Sequence, residues 1–220
     1  MLYFHTYMFV RFLLRVISNL LIIAGFSVII FTYVPILYSE VRYFFWSGSH
    51  NEYLISSEPS ESYVDSVIDL TNVVPIEPAD PNFSLIISKI EVNAPVVKNV
   101  STGTLSEYMN ALKNGVAHSR GTALPGENGN MFLFAHSSIN FWELGKYATV
   151  FNLLNKLESG DELVFYYEGK PYVYEVFQKK IVSGWDTKPF DDEYDVPVVT
   201  LITCYPPGAT LNRLVVKAKM

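Results

Sequence analysis

The chain is 220 residues long, 50% hydrophobic and only 17% charged, a composition that excludes a disordered or heavily solvated polymer and leaves room for one or two domains. The 16 Lys and Arg stand against 22 Asp and Glu, a formal net charge of -6, so there is no basic footprint for gripping phosphates and no nucleic-acid partner is expected. One cysteine, Cys204, rules out an internal disulfide, and with neither a C-x-x-C pair nor an H-E-x-x-H helix no metal or other cofactor is expected, calcium being left open.

Residues 16–37 read VISNLLIIAGFSVIIFTYVPIL, 22 residues without a charge. At about 1.5 Å per helical residue they span roughly the 30 Å hydrocarbon core. A cleaved signal peptide fits less well, because its apolar region is about 7–15 residues and no small-x-small cleavage site closes this stretch. Arg11 and Arg15 lie just before it, and no acid occurs before Glu40. The positive-inside rule therefore places the N-terminus in the cytoplasm and everything after Leu37 outside, in a single-pass protein of the cell membrane. Residues 1–38 form this cytoplasmic N-terminus and anchor.

From residue 39 to residue 82 eight acids face one base, Arg42, among scattered serines and three closing prolines, Pro75, Pro78 and Pro81. The composition is that of an acidic stalk. The aromatic run 43–46 suits the headgroup level of a bilayer; the alternative is a continued helix packed on a neighbour.

Residues 83–220, 138 in number, suffice for one compact domain. Short β-branched and aromatic runs between turn signals predict about eight strands, at 84–88, 94–97, 116–118, 130–136, 162–167, 172–182, 198–203 and 214–219. Residues 166–171 read as a hairpin turning at Gly169. Two short helices are expected, over 105–113 (LSEYMNALK) and 149–157 (TVFNLLNKL). So many short strands favour a closed or nearly closed β-barrel, since closure removes exposed edges.

The strongest site candidate is the apolar strand 200–204, TLITC, which delivers Cys204 where a turn begins at Tyr205-Pro206-Pro207-Gly208. A lone cysteine is more often a small buried hydrophobe than a nucleophile. Here it stands at a strand end, nine residues before Arg213, and two antiparallel strands joined by that turn return Arg213 beside it. A thiol with a reference pKa of about 8.5 needs such a cation, and a histidine to exchange its proton. His5 precedes the anchor and His50 sits in the stalk, which leaves His118 and His136. His136 ends the apolar strand MFLFA and is followed by Ser137-Ser138, a placement that suits a site. His118, shortly before Pro125-Gly126-Glu127, is read as holding its turn by hydrogen bonds.

The order His118-x-x-Gly121-Thr122, Pro125-Gly126-Glu127-x-Gly129-Asn130, a strand ending in His136, Thr200-Leu201-x-Thr203-Cys204 and then Arg213, with Lys89-Ile90 and Ala94-Pro95-Val96 ahead of it, resembles the sortases, membrane-anchored cysteine transpeptidases. The resemblance covers residues 84–220. It implies an eight-stranded β-barrel, a nucleophile at Cys204, a general acid and base at His136, and oxyanion stabilisation by Arg213. It also implies exported protein substrates with a Leu-Pro-x-Thr-Gly-like sorting signal near the C-terminus. The acyl group would pass through a Cys204 thioester to an amine acceptor such as a wall precursor or a pilin lysine.

Ala135 and Ser137 depart from the Gly and Arg that flank the histidine in many members, which leaves the subclass open. The acidic segment 186–195 (DTKPFDDEYD) is short for a substrate-covering loop. It is read as a solvated connection in preference to a site for calcium or a basic substrate. Two other functions compete: a membrane-anchored cysteine peptidase hydrolysing the same kind of signal, and a non-enzymatic surface β-barrel whose thiol is inert.

Overall fold

The computed structural model describes residues 2–46, 76–137 and 145–220; the central part of the expected stalk, with His50, lies outside the described residues. Helix α1 (Leu2–Trp46) runs without a break at Val16 or Leu37. Its apolar stretch Tyr7–Phe31, 25 residues, is long enough to cross a membrane, and none of it is buried. From Val16 to Phe31 no charge interrupts it. Beyond the apolar stretch the helix continues to Trp46. Phe44 and Phe45 stay exposed there while Tyr43 packs against the barrel.

The remaining elements are β1 (Phe83–Ile87), β2 (Val92–Val100), α2 (Leu105–Asn114), β3 (Val116–Ser119), β4 (Gly129–Phe134), β5 (Glu162–Tyr167), β6 (Lys170–Ser183), α3 (Lys188–Asp191), β7 (Pro197–Tyr205) and β8 (Asn212–Lys219). The strands close into one barrel in the order β1-β2-β3-β4-β7-β8-β6-β5. This is the eight-stranded barrel expected from the strand pattern. Neighbours are antiparallel except β2 with β3 and β4 with β7. Parallel neighbours need a crossover: α2 supplies the first, and the β5–β6 hairpin with its connections supplies the second.

Strand directions give the barrel two distinct ends. β1, β4, β6 and β7 finish at one of them, and β2, β3, β5 and β8 begin there. The barrel is filled by inward residues such as Leu85, Ile87, Leu133, Leu163, Phe165, Tyr174, Leu201 and Val216, each at most 1% exposed. Burial of that kind stabilises by about 1.5–3 kcal/mol per large aliphatic side chain.

Residues 149–157 do not form the α-helix expected of them; they make tight turns and a short 3-10 segment at Leu154–Lys156. The buried residues explain the difference. Phe151, Leu154 and Leu157 are all fully buried, and a spacing of three puts them on one face at three residues per turn, the 3-10 period. The hairpin turn is as expected, with Tyr167 opposite Lys170 and both Glu168 and Gly169 at positive φ. α2 ends at Gly115, φ 157°, where any Cβ would collide with the Pro95 carbonyl oxygen.

Candidate active site

The register of three strands assembles the candidate residues. In the antiparallel β7–β8 pair, Cys204 lies directly opposite Arg213. In the parallel β4–β7 pair, Phe134 lies opposite Ile202, and the pairing continues past β4. The Ala135 N–H donates to the Ile202 carbonyl at 3.3 Å, the Thr203 hydroxyl to the Ala135 carbonyl at 2.8 Å, and the Ser137 hydroxyl to the Cys204 carbonyl at 2.6 Å. His136 is thus carried alongside Cys204 at the same barrel end. The Tyr205–Pro206 peptide that follows is cis.

Cys204 is a half-buried free thiol. The His136 ring is half-buried, and its buried Nε2 has no hydrogen-bond partner among the described residues. Burial pulls the imidazole pKa below its ordinary value, because a low-dielectric surrounding disfavours the charged form. The ring is therefore neutral at neutral pH and able to accept a proton. Arg213 donates from one guanidinium nitrogen to the carbonyls of Thr210 at 2.8 Å and Asn212 at 3.0 Å. Its charge is held over the β7–β8 turn, next to the thiol strand.

His118 stands apart. It is fully buried, its Nδ1 accepts the Asn99 N–H at 3.2 Å, and its Nε2 donates to the Ala123 carbonyl at 3.0 Å. Both ring nitrogens are used in tying the β3–β4 turn to β2. Burial, reinforced by Lys98, lowers its pKa.

Side chains alternate faces along a strand, so Ile202 and Cys204 share the outer face of β7. An open groove of about 440 Å³ lies on that face, lined by Phe132, Ile202, Thr102, Pro189 and Phe190. It runs up to the residue two places before the thiol. Its outer wall is the β6–β7 connection, which is pinned from beneath. The Lys217 ammonium, on a side chain only 1% exposed, donates to the Asp192 carboxylate and to the Tyr194 hydroxyl at 2.7 Å. Thr200, opposite Lys217 on β7, donates to Asn130 at 2.8 Å, and Asn130 donates to the Pro189 carbonyl at 3.2 Å. Phe190 meets Phe132 edge to face at 5.0 Å. Among the described residues no group of three or more His, Cys, Asp and Glu converges as a metal site, and one of the acids expected to be merely solvated, Asp192, is a structural counter-ion.

A family model described as Sortase domain matches residues 85–220, more than half of the chain. The chain belongs to the sortase family. Sortase D of Bacillus subtilis strain 168 is 30% identical over 120 residues, which are 54% of this chain and 52% of that protein; the chain spans about half the length of that curated relative. Among solved structures, a Clostridium perfringens sortase D5 transpeptidase superposes with a TM-score of 0.51 at 27% identity, over 66% of this chain and 81% of the other. Sortase C-1 of Actinomyces oris gives 0.53 at 29% identity, over 64% and 74%. A Clostridium perfringens sortase C with the C-terminal cell wall sorting motif gives 0.52 at 28% identity, over 66% and 72%.

Two residues beside these candidates escaped the reading of the sequence. Ser137, noted as a departure and as the residue after His136 but given no role, bonds the backbone of Cys204. Tyr108, on α2, stacks on Phe134 with ring centroids 5.2 Å apart and planes at 9°, which brings its phenol over the end of β4. Burial first, and then the Cys204 thiol, raise the phenol pKa, while Arg213 opposes them. The helical period of 105–113 was readable, but nothing in it says which strand the helix covers.

Proposed function

We propose that this sortase is a membrane-anchored transpeptidase in which Cys204 is the nucleophile, His136 the proton carrier and Arg213 the oxyanion donor. The observation that carries the reading is the placement of Cys204 opposite Arg213 with His136 alongside, at the end of an apolar groove. A peptide with a Leu-Pro-x-Thr-Gly-like signal would lie in that groove, its apolar residues against Phe132, Ile202 and Phe190. The sorting motif carried by the solved sortase C supports this substrate class.

In acylation the neutral His136 imidazole takes the thiol proton as sulfur attacks the threonine carbonyl, and the same proton passes to the departing amine. The C–N bond breaks, the C–S bond forms, and a thioester remains on Cys204. An incoming amine, deprotonated by His136, attacks the thioester and returns the sulfur as thiol. Arg213, held at one guanidinium nitrogen by the Thr210 and Asn212 carbonyls, would donate to the oxyanion from the rest of its fork, a role in which one preorganised donor contributes about 3–4 kcal/mol. The helix Tyr7–Phe31 would hold the barrel at the outer face of the cell membrane, with the N-terminus in the cytoplasm. Residues 1–38, 39–82 and 83–220 then serve as anchor, stalk and catalytic domain. The acyl acceptor would be an amine of the cell surface, such as a wall precursor or a pilin lysine.

The test is mass spectrometry of the full chain in detergent, incubated with sorting-signal peptides with and without an added amine. A covalent mass on Cys204, absent in Cys204→Ala, and a peptide–amine product support transfer. Exclusive release of the free acid, whatever the amine concentration, marks a peptidase instead, and a Cys204 that never reacts marks a binding module.

A further inference from the structure

The membrane-distal end of α1 touches the barrel at four places. The Asn152 side-chain amide donates to the Ser39 hydroxyl at 2.7 Å. The Lys156 ammonium lies 2.9 Å from the Glu40 carboxylate, and the Arg42 guanidinium 2.8 Å from Glu91. Tyr43 packs against the core cluster, with the Lys156 nitrogen 5.4 Å from its ring centroid. Ser39 and Tyr43 stand one turn apart on a single helical face, and it is this face that is partly buried, whereas none of the apolar stretch Tyr7–Phe31 is buried.

The barrel side of the contact is equally specific. Glu91 sits in the β1–β2 turn, and Asn152 and Lys156 in the β4–β5 connection. Both belong to the barrel end that carries His136, Cys204 and Arg213. β1 lies four strands from β7 around the closed sheet, so the contact and the thiol occupy opposite sides of one rim. Asn152 is 3% exposed, and its neighbour Phe151 donates its N–H to the carbonyl of His136 at 3.1 Å. The helix thus bears on the segment that holds the histidine backbone.

We propose that residues 39–43 of α1 form a latch that clasps the catalytic rim, setting how the site is presented to the bilayer and bracing the segment behind His136. The inference rests on the anchor and catalytic roles given under Proposed function. Each ion pair is partly exposed and weak by itself. Tethering makes the contact intramolecular, at an effective concentration that can reach the order of millimolar, where weak contacts suffice. The signs alternate across the contact, Glu40 with Lys156 and Arg42 with Glu91, so one angular position of the helix satisfies both pairs.

The experiment uses the full chain in lipid nanodiscs and a zero-length carbodiimide, which joins a carboxylate to an amine only when they touch. A Glu40–Lys156 amide is expected in the peptide map. Arg42→Glu should reduce its yield severalfold and slow thioester formation on Cys204 severalfold, and Arg42→Glu with Glu91→Arg should restore both. Absence of the amide, or a yield indifferent to Arg42→Glu, overturns the latch. Loss of the amide with an unchanged thioester rate overturns the bracing of the site. Because cross-linking needs no catalysis, a chain that acylates no peptide but cross-links as described would reject the catalytic reading and leave the latch standing.

Discussion

The hydroxyl of Ser137 donates to the carbonyl of Cys204 at 2.6 Å, and the hydroxyl of Thr203 donates back to the carbonyl of Ala135 at 2.8 Å. These reciprocal bonds clamp the histidine-bearing end of β4 to the thiol-bearing end of β7. Ser137 is 1% exposed and Thr203 3%, so removing either hydroxyl leaves a carbonyl without its donor in a dry place. Ser137→Ala is expected to cost about 1–3 kcal/mol in denaturant unfolding and to slow single-turnover acylation about tenfold, as expected for a misplaced thiol, with little change in peptide affinity. An acylation rate equal to the parent's shows that the clamp is structural only.

Arg213→Ala is expected to lower the acylation rate by about 10²–10³, the usual effect of losing one oxyanion donor, while peptide binding changes little. Arg213→Lys keeps the charge but not the planar fork, and should recover only part of the rate. The Ala variant also strips the Thr210 and Asn212 carbonyls of a donor, so thermal melting must be recorded beside the kinetics. Binding and acylation falling in parallel in a folded variant would count against the oxyanion role.

Tyr108→Phe preserves the stack on Phe134 and removes only the phenol hydroxyl. If that hydroxyl steadies the charge developing between Cys204 and Arg213, kcat should fall severalfold with KM and melting temperature unchanged. Tyr108→Ala, which also exposes Phe134, should lower stability as well. Equal kcat for Phe and Tyr confines the residue to packing.

The folded state holds His118 neutral, its pKa below the ordinary value of about 6.5. Between the folded and unfolded values the unfolded chain binds more protons, so stability is complete above about pH 6.5 and declines as pH falls through the lowered value. His136 contributes in the same direction. Melting temperatures measured from pH 7.5 down to 5 should therefore drop, and the drop should be smaller in His118→Gln. A variant with the parent's slope would show that protonation of His118 does not limit acid stability.

Removing the partner of a buried charge is worse than removing the charge. Asp192→Ala leaves the Lys217 ammonium under the β6–β7 connection with Tyr194 alone, and should cost about 2–3 kcal/mol, somewhat below the fully buried case because Asp192 is 40% exposed. Lys217→Met removes ion and counter-ion demand together and should cost clearly less. The reverse order in urea titrations would mean that the pair is a net stabiliser. Either change should also raise peptide KM if the pinned connection shapes the groove.

Much of this molecule is written in local pattern. Alternating β-branched and aromatic runs mark the strands because one face of each is buried, Gly169 marks a hairpin because its φ is positive, and the uncharged run 16–37 marks a helix fit for lipid because no charged side chain interrupts it. Even the meeting of Cys204 with Arg213 was readable, since a nine-residue return between adjacent strands fixes their register. Residues 149–157 misled, because an i, i+3 apolar spacing serves both an α-helix and a 3-10 turn, and only the burial of Phe151, Leu154 and Leu157 at the barrel end selects the latter.

Contacts distant along the chain were another matter. The parallel pairing of β4 with β7, the bond from Ser137 to Cys204, the position of Tyr108 over the site, the pin between Lys217 and Asp192 and the clasp of α1 on Asn152, Lys156 and Glu91 join residues whose neighbours in sequence carry no trace of the partner. Local propensity acts over a few residues and can announce a strand, a turn or an anchor. Which strand lies beside which, and what covers the thiol, follows from closing the barrel around one core, a condition that every element must satisfy at once.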